Sequence, residues 1–221
     1  MPSSSTFKLQ LCACAATFLA GSIAAQEPAA DVIASWIALD APTGHEHLAI
    51  ESIQRNFNGW EKGRYGNLAR LSNRVIFAWS VREEGGLRGA AELASKFYSQ
   101  TRRVYSIDTF VSSDTPLESP HFAYAPLGNG PVLRSIENSS MATPYELDRN
   151  RRLAEEAGID AQYGLTQGGT DGTTFTVYGA PNAGLSWPGR YSHSPAEIAD
   201  LRDIAKLIDL IQAMAQAPID N

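Results

Sequence analysis

Glu83 and Glu84 stand side by side in the stretch Arg82-Glu83-Glu84-Gly85-Gly86-Leu87-Arg88-Gly89-Ala90. Two adjacent carboxylates at a strand end are costly unless each has a task. One can bind a metal ion while its neighbour accepts a proton from water on that ion. The glycine pair lets the backbone turn tightly behind them. A glutamate pair alone is usually solvated surface, so the stretch gains weight from two groups further along the chain. Ser106-Ile107-Asp108-Thr109 brings another carboxylate, and Arg190-Tyr191-Ser192-His193-Ser194-Pro195 brings a histidine.

The elements that must position these groups alternate between helix and strand. Asp31 to Leu39 and Glu46 to Phe57 read as helices, the first with Val32, Ile33, Trp36 and Ile37 on one face. Gly66 to Leu71 reads as a strand. Arg74 to Val81 reads as a buried strand, because Val75, Ile76, Phe77, Ala78, Trp79 and Val81 barely alternate with polar residues. A helix follows over Ala91 to Tyr98, then a strand over Arg103 to Val111. Tyr145 to Ala157 is a helix stopped by Gly158. Phe175 to Tyr178 and Gly184 to Trp187 read as short strands. Ser194 and Pro195 read as N-cap and first residue of a last helix with an apolar stripe through Ile204, Ile208 and Ile211. The pattern is α/β.

The 221 residues suit one domain of ordinary size, and 43% hydrophobic content supports a sizeable core. The formal charge of -6 and the lack of a Lys/Arg run argue against nucleic acid and anionic membrane surfaces as partners. Lys8 precedes an apolar run from Leu9 to Ala20, and Ser22-Ile23-Ala24 supplies small residues that a signal peptidase reads. Residues 1–25 are therefore expected to be a signal peptide, cut after Ala24 or Ala25. The run is too short for a comfortable membrane span. Export to the periplasm or outside the cell is the expectation, with no membrane association after cleavage. Cys12 and Cys14, the two cysteines, both fall in this segment, so a metal site in residues 26–221 must use His, Asp and Glu.

The order of the motifs carries a resemblance. The Glu83-Glu84 stretch is followed by Ser106-Ile107-Asp108-Thr109, Leu127-Gly128-Asn129-Gly130-Pro131, Gly168-Gly169-Thr170-Asp171-Gly172 and Arg190-Tyr191-Ser192-His193-Ser194-Pro195. Pro42-Thr43-Gly44-His45-Glu46 and Gly66-Asn67-Leu68 precede it. This series resembles the tetrahedral, glutamyl and deblocking aminopeptidases, metallopeptidases with two co-catalytic zinc or cobalt ions. The resemblance implies a zinc-exopeptidase-like three-layer sandwich with a mixed central sheet. It implies Glu83 as general base, Glu84 and His193 as ligands of one metal, and Asp108 as a ligand of the other. Such ligands are ordinary for zinc. A peptide with a free α-amine is the implied substrate.

The chain departs from the family where a His-x-Asp strand and an inserted lid or dimerisation domain belong. About fifteen residues separate Asn67 from Glu83, and His45, His47, His121 and His193 are the four histidines, none in His-x-Asp. Residues 26–221 are thus expected to be a truncated catalytic domain that holds at most one metal ion. Without the inserted domain, the large shells of the family are not expected. The function implied is a metal-dependent hydrolase removing N-terminal residues from peptides, impaired by the lost ligands. The alternative is a non-catalytic remnant or a peptide- or metal-binding domain.

Other polar groups have plainer readings. His45 and His47 flank a helix start and are expected to be exposed, and His121 beside Pro120 reads as a loop residue. Asp171 reads as an Asx-type turn residue that the resemblance puts near the site without making it a ligand. Gly128-Asn129-Gly130 is no phosphate loop, since no Lys-Ser/Thr follows.

Overall fold

The computed structural model describes residues 74–120 and 122–218, and residues 31–56 apart from 32, 36, 40, 42 and 44. The chain divides into two units at Leu39/Asp40. In the first, the described residues of 31–37 are helical. In the second, the helices and strands are α1 (His47–Asn56), α2 (Arg88–Phe97), β1 (Ile107–Val111), β2 (Val132–Ile136) and α3 (Pro144–Glu156). They continue with β3 (Gln162–Leu165), α4 (Thr173–Thr176), β4 (Leu185–Arg190), β5 (Ile198–Ala199) and α5 (Leu201–Gln216).

The strands form one mixed sheet in the order β1-β4-β2-β3. β1 runs parallel to β4, with Asp108 opposite Ser186, and β2 runs parallel to β3. β4 meets β2 and β5 antiparallel. Leu133 and Leu185 of the sheet pack with Ala154 of α3 and with Leu207, Leu210 and Met214 of α5. Leu210 is fully buried there, so truncation to Ala would cost about 2–5 kcal/mol. Phe110 and Val132 belong to a second cluster with Ala125. Phe110 demands a glycine at 164, since a Cβ there would lie 2.4 Å from its ring.

α3 follows its local signals. Thr143 caps it by accepting from the Glu146 amide at 3.2 Å, Pro144 opens it, and Gly158 leaves it at φ 70°. The last helix differs from its sequence expectation. Ile198 and Ala199 pair antiparallel with Arg190 and Gly189, and that ladder keeps the chain extended past Ser194 and Pro195. α5 therefore begins at Leu201, capped by Asp200, which accepts from the Arg202 amide at 2.9 Å. The Arg202 guanidinium holds the Asp200 carboxyl below its ordinary range.

Two further expectations are corrected. Residues 74–80 form neither helix nor strand, and Ile76 and Trp79 are nearly half exposed. A strand at the centre of a sheet is buried on both faces, and the exposure of Ile76 and Trp79 does not fit that. Phe175 to Tyr178 is not a strand either. The amides of Thr173, Thr174 and Phe175 donate to the carbonyls of Thr170, Asp171 and Gly172, and these local backbone bonds close the segment into the short helix α4. β2 and β3 have no counterpart in the sequence reading. The buried Arg134 interrupts the apolar pattern of β2, and β3 is four residues long. The reading of Gly66 to Leu71 as a strand lies outside the described residues, as do residues 1–30.

Candidate active site

The Glu83-Glu84 turn is built mostly from backbone. The amides of Gly86 and Leu87 donate to the Glu83 carbonyl at 3.1 and 2.9 Å, and the Gly89 amide donates to the Val81 carbonyl at 3.0 Å. Gly89 must be glycine, because a Cβ would lie 2.5 Å from the Val81 nitrogen. Gly86 takes φ 98°, and Arg82 and Leu87 are also left-handed, at φ 56° and 57°. Two side chains reach in from elsewhere. Glu46 Oε1 accepts from the Arg82 amide at 2.9 Å, and the Ser80 hydroxyl donates to Asp171 Oδ2.

Glu84 and His193 meet across this turn. His193 Nε2 lies 3.0 Å from Glu84 Oε1, with both side chains more than half exposed. The His193 backbone is left-handed at φ 62°, and its amide donates to Glu197 Oε1 at 3.0 Å. Burial raises the Glu83 pKa above its ordinary value. Repulsion from Asp108, Glu84 and Asp171 raises it further, and His193 opposes them.

Asp108, on β1, is half-buried, and its Oδ1 accepts from the Thr109 amide at 2.7 Å. Burial raises its pKa against the pull of Arg134, whose guanidinium lies 4.0 Å away. Asp171 is likewise raised by burial, with the Ser80 hydroxyl acting against it. Its Oδ1 is buried without a hydrogen-bond partner among the described residues. The structure therefore brings Glu84 and His193 into contact and leaves Glu83 within electrostatic reach of Asp108, Glu84, Asp171 and His193.

Several supporting residues escape the sequence reading. Arg134 is buried, donates from Nε to Ser186 at 2.7 Å and to the Thr109 carbonyl, and stands over the Phe110 ring. Glu137 accepts from Thr170 at 2.8 Å, and Thr170 meets Ser106 at 2.7 Å, all three buried. No spacing signal marks Arg134 or Glu137. Thr170 sits beside Asp171 and Ser106 two residues before Asp108, so the motifs themselves carry part of the network. His45 and His47 are exposed, as their positions imply. His121 lies outside the described residues.

Donor spacing tests the fit of a metal. Two donors on one tetrahedral zinc, at bonds of about 2.0–2.1 Å, stand about 3.3 Å apart. The Glu84–His193 separation is close to that. Among the described residues, however, no group of three or more His, Cys, Asp or Glu side chains could hold a metal ion. A catalytic zinc takes three protein ligands, so the described residues do not fit a complete catalytic metal centre.

The adjacent carboxylates of the turn before α2 and the imidazole of the loop after β4 thus meet beside a mixed α/β sheet. The family model described as M42 glutamyl aminopeptidase matches residues 64–210, more than half of the chain, and the chain belongs to that family. Its architecture is the M42 aminopeptidase fold without the inserted domain.

A relative from Acetivibrio thermocellus named "Putative aminopeptidase" is 30% identical over 147 residues, covering 65% of this chain and 43% of the relative. The TET1 peptidase of Pyrococcus horikoshii, which can assemble into a tetrahedron or a large octahedral shell, is 36% identical at a TM-score of 0.56. The match covers 62% of this chain and 39% of that one. The TET aminopeptidase of a marine-sediment Thaumarchaeota archaeon is 25% identical at a TM-score of 0.62, over 75% of this chain and 44% of that one. The chain thus spans about two fifths of the length of these relatives.

Proposed function

We propose that this chain is an aminopeptidase-like hydrolase of impaired activity, acting on the N-terminal residues of peptides. The observation that carries this is the approach of Glu84 and His193 beside Glu83, in a family of metal-dependent aminopeptidases. Glu83 acts as a general base toward water. Its raised pKa suits that role, because a base nearer the working pH drives proton transfer better. Glu84 and His193 bind one zinc or cobalt ion weakly, and Asp108 lies beside them. The test is hydrolysis of amino-acyl p-nitroanilides together with a zinc count on the purified chain. Weak, chelator-sensitive turnover supports the reading.

A second reading, a non-catalytic domain that binds a metal or a peptide, is favoured by the donor count of two. Retained zinc without hydrolysis would support it. Peptide is the partner in the first reading, and the charge of -6 argues against nucleic acid in both. The family's shells are not expected without the inserted domain, and an elution volume of a small species would support that. Export is proposed on the N-terminal charge and apolar run. N-terminal sequencing should then begin at Ala25 or Gln26, and an intact Met1 on cytosolic protein would contradict it.

A further inference from the structure

Arg82 precedes the two glutamates and has φ 56°. Left-handed backbone is disfavoured for a residue with a Cβ, so something must hold it. The bonds within the turn start at the Val81, Arg82 and Glu83 carbonyls and serve amides further along. The Arg82 amide itself donates to Glu46 Oε1 at 2.9 Å, from a segment 36 positions earlier. A carboxylate acceptor makes this bond charge-assisted and stronger than a neutral one.

Glu46 serves the start of its own helix with its backbone and the turn with its side chain. Its carbonyl accepts from the Ile50 amide at 2.9 Å, which opens α1, while its side chain turns to Arg82. Thr43 of the same segment lies against the turn, since a Cβ on Gly85 would stand 3.9 Å from the Thr43 methyl.

We infer that Glu46 is a positioning residue: its carboxylate holds Arg82 in the left-handed conformation and so fixes the directions in which Glu83 and Glu84 leave the backbone. The functional consequence rests on the reading of these two glutamates as the working pair. The hold itself does not.

Amide hydrogen exchange on the full chain tests the hold without reference to activity. Glu46→Ala should speed exchange across residues 82–87 by about tenfold or more, the factor expected from losing a hydrogen bond to a charged group. Glu46→Gln, which keeps an acceptor oxygen, should recover most of the protection. Adding Arg82→Gly to Glu46→Ala should recover protection over residues 83–87, because glycine adopts positive φ without penalty.

Faster exchange in α1 with wild-type rates over residues 82–87 would overturn the inference. So would failure of Arg82→Gly to restore protection. If Glu46→Ala loosens the whole chain, Glu46→Met decides, because it keeps the length of the side chain and offers no acceptor oxygen. Exchange raised at 82–87 alone supports the hold, and unchanged exchange there overturns it. Absence of hydrolysis or zinc binding in the wild type would sink the functional reading and leave this result standing.

Discussion

Glu84 Oε1 and His193 Nε2 lie 3.0 Å apart, although one belongs to the turn before α2 and the other to the loop after β4. The turn is set by backbone bonds to Val81 and Glu83, and the loop by β4 and by the bond from the His193 amide to Glu197. Two exposed side chains held this way contribute little to stability as an ion pair. In the proposed function their worth lies in presenting an oxygen and a nitrogen to one metal ion.

Glu84→Gln and His193→Ala should therefore lower zinc content to a similar degree, because each removes one of two donors. Both variants should keep the wild-type unfolding midpoint within about 0.5 kcal/mol, as expected for exposed positions. Metal counts on dialysed protein, with urea unfolding alongside, check this. Unchanged metal content in either variant would remove that residue from the site.

Gly89→Ala should disturb the site from outside it. The added Cβ would lie 2.5 and 2.7 Å from the Val81 nitrogen and oxygen, so α2 or the turn must shift. A stability loss of about 1–3 kcal/mol is expected for such overpacking, with a fall in zinc content. Wild-type values of both would show that the turn is looser than its hydrogen bonds suggest.

Stability should fall as pH rises from about 4 to 7. Burial raises the pKa of Glu137, Glu83, Asp108 and Asp171. A carboxyl whose folded value lies above its unfolded value binds its proton more readily in the native state. Its favourable contribution is present at acidic pH and is lost as pH rises through the folded value. Asp200 has the opposite shift, and its contribution is complete only above the ordinary aspartate range, so it opposes this slope at the acidic end of the window alone. Glu137→Gln removes one titrating group and should flatten the dependence measured by urea midpoints. An unchanged slope would contradict the assignment for Glu137.

The sequence makes the site more legible than the sheet. Glu84 and His193 sit in two separate motifs and meet at 3.0 Å, and Asp108 of β1 is near enough to raise the Glu83 pKa. α3 is equally legible, since Thr143, Pro144 and Gly158 act locally. β2 is not, because its buried Arg134 is satisfied by Ser186 on β4 and by the Thr109 carbonyl on β1, contacts that periodicity does not carry. The start of α5 is misread for the same reason: β5 exists by pairing with β4, and no local signal reports that ladder. Glu46 shows the limit at the site itself, a residue in a recognised turn whose partner is a backbone amide far along the chain.

The separate roles of the two glutamates are the central claim, and paired measurements on Glu83→Gln and Glu84→Gln test it most directly. Zinc content and amino-acyl p-nitroanilide hydrolysis would be measured on both variants and on the wild type. The account predicts weak, chelator-sensitive turnover in the wild type, abolished in Glu83→Gln with zinc content nearly unchanged. In Glu84→Gln, zinc content should fall together with turnover. Equal zinc loss in both variants, or robust chelator-resistant hydrolysis by the wild type, would contradict it.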